Sequence, residues 1–229
     1  MQIWLSLLAI AAGYLLGSLP TGLLIVRFSS GKDVREVGSG RTGGTNAMRA
    51  AGFWAGLGTA VIDLLKGAAA VWIARALVPD ISWVHILAPL GAIVGHNYSV
   101  FSMQRDETGR LRLGGGAGGA PTVGGAFGLW PFSILIIVPL AALIIYFAGF
   151  ASIATMSVAL IATLIFAYRA WMGVAPWQYI FYGVFAEILL LWALRPNIQR
   201  LLDGNERLMG FRARHQKKAS GRADTSQRV

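Results

Sequence analysis

Apolar stretches of membrane-spanning length recur along this chain, at residues 3–28, 53–77, 81–101, 119–148, 150–168 and 176–194. A transmembrane helix needs about 20 mainly apolar residues. Inside a bilayer every backbone N–H and C=O must be satisfied internally, so such stretches fold as helices. Only 13% of the 229 residues are charged and 55% are hydrophobic, against roughly 25% charged in a soluble domain. The expectation is an all-α, polytopic integral membrane protein. No cysteine is present, which excludes disulfides, thiolate catalysis and Cys-ligated zinc. The first stretch has no basic segment before it and no clear cleavage site after Ala12, so it reads as a retained helix and not a signal peptide.

The fourth stretch is too long for one straight helix, and Gly128 and Pro131 divide it; proline is a natural helix start. Charge asymmetry fixes the count. Arg27, Lys32, Arg35, Arg41 and Arg49 fall in the first loop, and Arg105, Arg110 and Arg112 in the third. The second loop holds only Arg75, and the segment before the last stretch only Arg169. Residues 195–229 carry nine Lys or Arg and three Asp or Glu. The positive-inside rule places these basic segments in the cytoplasm and the N-terminus outside, which requires an odd number of spans, hence seven, with the split near residues 129–131. Residues 1–211 form one membrane domain. Residues 212–229 form a basic tail, expected to be disordered and to meet lipid headgroups rather than nucleic acid.

Between the first two spans runs Gly38-Ser39-Gly40-Arg41-Thr42-Gly43-Gly44-Thr45-Asn46, with Arg35 before it and Arg49 after it. Glycine frees backbone N–H groups to point at an anion, and guanidiniums grip phosphate in bidentate fashion. A second glycine run, Gly114 to Gly119, opens into the fourth span and presents Gly115, Gly116 and Gly118 at a helix N-terminus, where anions bind. It is not a Walker A loop, because no Gly-Lys-Ser/Thr follows. Asp63 and Lys66 share one helix face inside the second span, where charges are costly and pair. His96 sits at the cytoplasmic end of the third span and can act as acid, base or donor. After the last span, Asn197, Arg200 and Glu206 lie on what reads as a short amphipathic helix on the membrane surface. No hydrolase elbow, kinase motif set or metal-ligand cluster is present; His85, His96 and His215 are dispersed.

These motifs, in this order, resemble the bacterial acyl-phosphate:glycerol-3-phosphate acyltransferases. The resemblance runs through Gly17-Ser18-Leu19-Pro20-Thr21-Gly22, Asp33-Val34-Arg35, Gly38-Ser39-Gly40, Gly44-Thr45-Asn46 with Arg49, Asp63-Leu64-Leu65-Lys66-Gly67, Gly95-His96, and Asn197-Ile198-Gln199-Arg200-Leu201-Leu202 with Gly204-Asn205-Glu206. It implies seven helices with a site at the inner face of the bacterial cytoplasmic membrane. The implied reaction moves a fatty acyl group from acyl phosphate to the 1-hydroxyl of glycerol 3-phosphate, without metal or other cofactor, and the chain is expected to act as a monomer. Ser39, Arg49 and Asn197 would hold the glycerol phosphate, while His96 and Glu206 would complete the site. Arg35, Gly38, Gly40, Arg41, Thr45, Asn46, Gly115, Gly116, Gly118, Arg112 and Arg200 would line it.

The chain departs from the family pattern in two informative places. Ala117 stands where the family's glycine loop has lysine, and Arg41 where its first loop has asparagine. Arg41, Arg110 or Arg112 is expected to supply the missing cation. The competing class is a non-catalytic or transport protein that binds a lipid phosphate or another anion; it predicts internal repeats or charges through several helices, and neither is evident.

Overall fold

The computed structural model of the chain describes residues 1–105, 108–211 and 213. Nine α-helices and one β-hairpin occur among them: α1 (Gln2–Ser18), α2 (Thr21–Ser30), α3 (Gly44–Ala51), α4 (Phe53–Leu77), α5 (Ser82–Asn97), β1 (Ser99–Arg105), β2 (Leu111–Gly114), α6 (Gly119–Leu129), α7 (Ile134–Ala148), α8 (Ala151–Trp171) and α9 (Tyr179–Leu202). Five segments are long and apolar enough to cross a membrane: Gln2–Ser30, Phe53–Leu77, Pro131–Ala148, Ala151–Trp171 and Tyr179–Leu202. The chain is a multi-pass membrane protein. At 1.5 Å per residue α5 reaches about 24 Å and α6 about 16 Å, both short of a ~30 Å hydrocarbon core. The fourth apolar stretch does divide where glycine and proline predicted, with extended backbone at Trp130 between α6 and the turn Pro131–Ser133.

Small residues let the helices meet at backbone distance, as membrane helix packing requires. A Cβ on Gly95 of α5 would sit 2.1 Å from the Tyr14 carbonyl of α1, and one on Gly17 2.0 Å from the Ala92 carbonyl of α5. α4 and α6 interlock in the same way, Gly67 against Pro121 and Gly124 against Leu64. Around these seams Val71, Ile86, Ile93, Phe166, Tyr182 and Leu190 form the main buried cluster.

Three expectations need correction. The first apolar stretch is not one helix: it breaks at Leu19–Pro20, because Pro20 has no N–H to continue the ladder. The third ends at Asn97, and residues 99–101 belong to the hairpin, whose strands pair antiparallel with Met103 opposite Leu113 and Gln104 opposite Arg112. No separate surface helix carries Asn197 and Arg200. α9 runs unbroken through Pro196 to Leu202, and left-handed Gly204 (φ +71°) turns the chain back, with Asn205 N–H donating to the Arg200 carbonyl. The basic tail, Ala213 aside, lies outside the described residues.

Candidate active site

The break between α1 and α2 is stitched by the intramembrane charges. Lys66 Nζ donates to the Leu19 carbonyl (2.6 Å), which also accepts from Thr21 N–H (2.9 Å), to Thr21 Oγ1 (2.9 Å) and to Asp63 Oδ1 (2.7 Å), and Thr21 Oγ1 donates to Asp63 Oδ1 at 2.5 Å. Asp63 is 1% exposed and Lys66 5%, so each charge persists only because the other neutralises it. His96 Nδ1 approaches Asp63 Oδ1 at 3.6 Å. Asp63 Oδ2 has no hydrogen-bond partner among the described residues, and Asp63 lines a cavity of about 320 Å³.

Three helix N-termini open into that cavity: Gly43–Thr45 of α3, Gly118–Ala120 of α6, and Ala151 with Ser152 of α8. The first N–H groups of a helix have no intrahelical acceptor, and the helix dipole leaves that end positive. Arg41, Arg49, Arg200 and Arg207 line the same cavity against only two carboxylates, Asp63 and Glu206, so its formal charge is 4 − 2 = +2. Burial, and then the neighbouring Arg200, pull the Arg41 guanidinium below its usual pKa; burial and Arg207 do the same to Arg49. Crowded guanidiniums at converging helix N-termini make an anion-binding pocket.

Glu206 organises one wall. Its Oε1 accepts from Asn197 Nδ2 at 2.8 Å and from Ser152 Oγ at 3.5 Å, and its Oε2 accepts from Arg200 Nε at 2.9 Å. Asn197 Oδ1 is left without a partner among the described residues. Arg41 joins the first loop to the same helix by donating to the Ala193 carbonyl.

Of the residues singled out in the sequence, the cavity brings together Gly38, Ser39, Arg41, Thr45, Asn46, Arg49, His96, Gly118, Asn197, Arg200 and Glu206. Arg35, Gly40, Gly115, Gly116 and Arg112 do not line it. Arg35 is turned onto Asp33, with Nε at 2.9 Å from Oδ1 and Nη2 at 2.5 Å from Oδ2. Gly40 adopts φ +71° and closes a turn onto the Val37 carbonyl. Gly115 and Gly116 act by being small. A Cβ on Gly116 would lie 1.9 Å from His96 Nε2, and one on Gly115 2.3 Å from the His96 carbonyl, while Gly116 N–H donates to that carbonyl at 2.8 Å. His96 is therefore clamped beneath the glycine loop. Arg112 is exposed on β2. Asn46 reaches the wall, but its amide is occupied: Nδ2 donates to the Val34, Val37 and Arg41 carbonyls at 2.7–2.9 Å, and Oδ1 accepts from Ser39 N–H at 3.3 Å. It shapes the loop.

Sequence reasoning missed Ser152, Thr155 and Arg207, and did not place Asp63 in the site. The available signal was a pair of hydroxyls three residues apart at the start of an apolar stretch, where an anion-facing first turn is favoured. Among the described residues no group of three His, Asp or Glu is arranged to hold a metal.

Residues 7–204 match the family model for glycerol-3-phosphate acyltransferase. The glycerol-3-phosphate acyltransferase 2 of Moorella thermoacetica is 35% identical over 90% of this chain and 99% of its own. The glycerol-3-phosphate acyltransferase of Rubrobacter xylanophilus is 38% identical over 91% and 98%. Among solved structures, the glycerol 3-phosphate form of PlsY, an integral membrane glycerol 3-phosphate acyltransferase, superposes with a TM-score of 0.75 at 31% identity, covering 90% of this chain and 96% of that one. Its lysophosphatidic acid form gives a TM-score of 0.73. With its membrane helices, its cationic cavity and relatives matched over nearly their full length, this chain belongs to the glycerol-3-phosphate acyltransferase family of integral membrane enzymes.

Proposed function

We propose that this acyltransferase moves a fatty acyl group from acyl phosphate to the 1-hydroxyl of glycerol 3-phosphate, giving lysophosphatidic acid and inorganic phosphate. The observation that carries the reading is the convergence of three helix N-termini and four arginines on one cavity at a membrane-protein surface. Both substrates are phosphorylated, and such a cavity neutralises them together. In the step, the 1-hydroxyl oxygen attacks the acyl carbonyl carbon, the carbon–oxygen bond to phosphate breaks, and phosphate leaves with the electron pair. The hydroxyl proton passes to a phosphate oxygen, so no protein nucleophile is needed. The mixed anhydride is already activated, and the protein lowers the barrier by positioning and by charge neutralisation.

In this reading Ser39, Arg49 and the unpartnered Asn197 Oδ1 hold glycerol 3-phosphate. Glu206 keeps Asn197 and Arg200 in place, and His96 fixes the glycine loop. Arg41, Thr45, Gly38 and Gly118 complete the anion wall. The active segment comprises residues 1–211, with 212–229 a basic tail that does not bind nucleic acid. The enzyme is proposed to act as a monomer.

Counting α5 and α6 with the five long segments gives seven membrane helices, with the N-terminus outside and the C-terminus inside the bacterial cytoplasmic membrane. The distribution of charge supports that orientation. Arg27, Lys32, Arg35, Arg41 and Arg49 cluster at the cavity end, whereas Arg75 and Arg169 lie at the other. At the far end Trp83 meets Trp177 edge to face and Phe181 at a tilt, and Arg169 covers the Trp130 ring at 4.1 Å, as in the aromatic belt found at either membrane interface.

The test is phosphate release by the purified protein in a lipidic phase with palmitoyl phosphate and glycerol 3-phosphate. Release should require both substrates and vanish in Arg49→Ala. Folded protein that releases no phosphate would overturn the reading.

A further inference from the structure

One face of the β1–β2 hairpin has no cover among the described residues. Met103 and Leu113 are register partners, and Leu111 follows Leu113 on the same side of β2. Their exposures are 48%, 44% and 63%, and Phe101, nearer the start of β1, is 55% exposed. On the opposite face Ser102 is buried against Gly114, and the polar Gln104 lies beside the Arg35 guanidinium. Large apolar side chains left this exposed on one side of a two-stranded hairpin need a partner.

What lies beside them identifies that partner. Phe101 lines an apolar groove of about 380 Å³ together with Ala12, Leu15 and Leu16 of α1, Leu19 just after it and Ile73 of α4. Leu15 and Leu19 are themselves outward-facing on a membrane-crossing segment. The apolar face of the hairpin is thus continuous with the lipid-facing surface of α1. The geometry points to the hydrocarbon edge of the bilayer as its occupant: the hairpin is an interfacial arm that dips Phe101, Met103, Leu111 and Leu113 below the headgroups, much as an amphipathic surface helix does.

The arm is attached to the catalytic machinery. β2 ends at Gly114, and the next residues are the glycines that clamp His96 and lead to the N-terminus of α6. The depth of the hairpin therefore sets the level at which the glycine loop sits relative to the lipid surface.

The absence of cysteine makes the test direct. Met103→Cys, Leu111→Cys and, as an aqueous reference, Lys32→Cys each give one site for a spin label in the full-length protein. After reconstitution into phosphatidylcholine vesicles, the accessibility of each label to oxygen and to a water-soluble nickel chelate is measured. Wild-type-like elution on size exclusion confirms the fold of each variant. The ratio of oxygen to nickel accessibility at 103 and 111 should exceed that at 32 severalfold. A ratio like that of position 32 would place the hairpin in water and overturn the inference. Shielding from both reagents would mean that protein covers the face, and would overturn it equally.

Discussion

Lys66 and Asp63 meet at 2.7 Å on one face of α4, and the same ammonium group holds the Leu19 carbonyl that the α1–α2 break leaves without a helical partner. The pair thus does two things at once: it closes a backbone defect and delivers a carboxylate edge to the anion cavity. Removing one member of a buried ion pair costs about 3–5 kcal/mol, because the other is left charged and unpaired. Lys66→Met should therefore lower the thermal unfolding midpoint of the detergent-solubilised protein markedly. An unchanged midpoint would show that the pair does not stabilise the break.

Glu206 gathers Asn197, Arg200 and Ser152 through two oxygens. Hydrogen bonds to charged groups contribute about 1.5–3 kcal/mol, so Glu206→Ala should reduce kcat/KM by about 10- to 100-fold. Glu206→Gln keeps an acceptor for Asn197 but loses the ionic bond to Arg200, and its loss should be smaller. Steady-state kinetics on both variants decides the matter; equal losses would mean that charge alone matters.

Gly116 and Gly58 separate a glycine that the site needs from one it does not. A methyl group on Gly116 would lie 1.9 Å from His96 Nε2, whereas one on Gly58 of α4 meets only Ile25 Cδ1 at 3.8 Å. Overpacking a tight contact costs about 1–3 kcal/mol. Gly116→Ala should lower kcat/KM about tenfold or more. Gly58→Ala should leave kcat/KM unchanged and raise thermal stability slightly, since alanine suits a helix better than glycine. If Gly116→Ala is fully active, the clamp on His96 is dispensable.

Much of this architecture was legible because polar groups are costly in a membrane and therefore conspicuous. Asp63 with Lys66, the loop from Gly38 to Asn46, and Asn197 with Glu206 stood out on that ground, and the structure brings them to one cavity or its border. Ser152 and Thr155 did not stand out, since single hydroxyls bond their own helix and pass unnoticed in apolar stretches. The role of Asn46 was hidden because an amide that binds loop carbonyls and one that binds substrate look alike in sequence. The continuity of α9 was misread because the apolar stretch ends at residue 194 and the amphipathic pattern beyond it suits a separate surface helix; here the helix runs on through Pro196, and Arg41 donates to the Ala193 carbonyl in that turn. That contact joins residues 152 positions apart, which local pattern does not reveal.

The Asp33–Arg35 pair predicts a pH signature. The Arg35 side chain holds the Asp33 carboxyl below its ordinary pKa, through hydrogen bonds to Nε and Nη2. A carboxyl depressed on folding contributes stability that is fully present above its unfolded pKa and is lost as pH falls through the folded value. Asp33→Asn should therefore be less thermally stable than wild type at neutral pH, and the two should converge in acid. A stability gap that persists in acid would mean the residue acts through packing rather than charge.

Arg41 is the cation best placed to serve where this chain has Ala117. Of the three arginines that accompany the altered motifs, only Arg41 lines the cavity, together with Ala117 itself; Arg110 and Arg112 do not. Its guanidinium stands beside Arg200, on the α9 face that carries Asn197, and reaches that helix through the Ala193 carbonyl. A guanidinium so placed meets a phosphate while keeping one donor on the protein, since its fork carries five N–H groups. Losing one charge-assisted contact to phosphate costs about 1.5–3 kcal/mol. Arg41→Ala should accordingly raise the KM for glycerol 3-phosphate about tenfold or more, and Arg41→Lys, which keeps the charge but not the fork, should recover part of it. Arg110→Ala and Arg112→Ala should behave as wild type. Initial-rate measurements with glycerol 3-phosphate varied at saturating palmitoyl phosphate distinguish these outcomes: a wild-type KM in Arg41→Ala would remove Arg41 from the anion wall, and a raised KM in either hairpin variant would move the missing cation there.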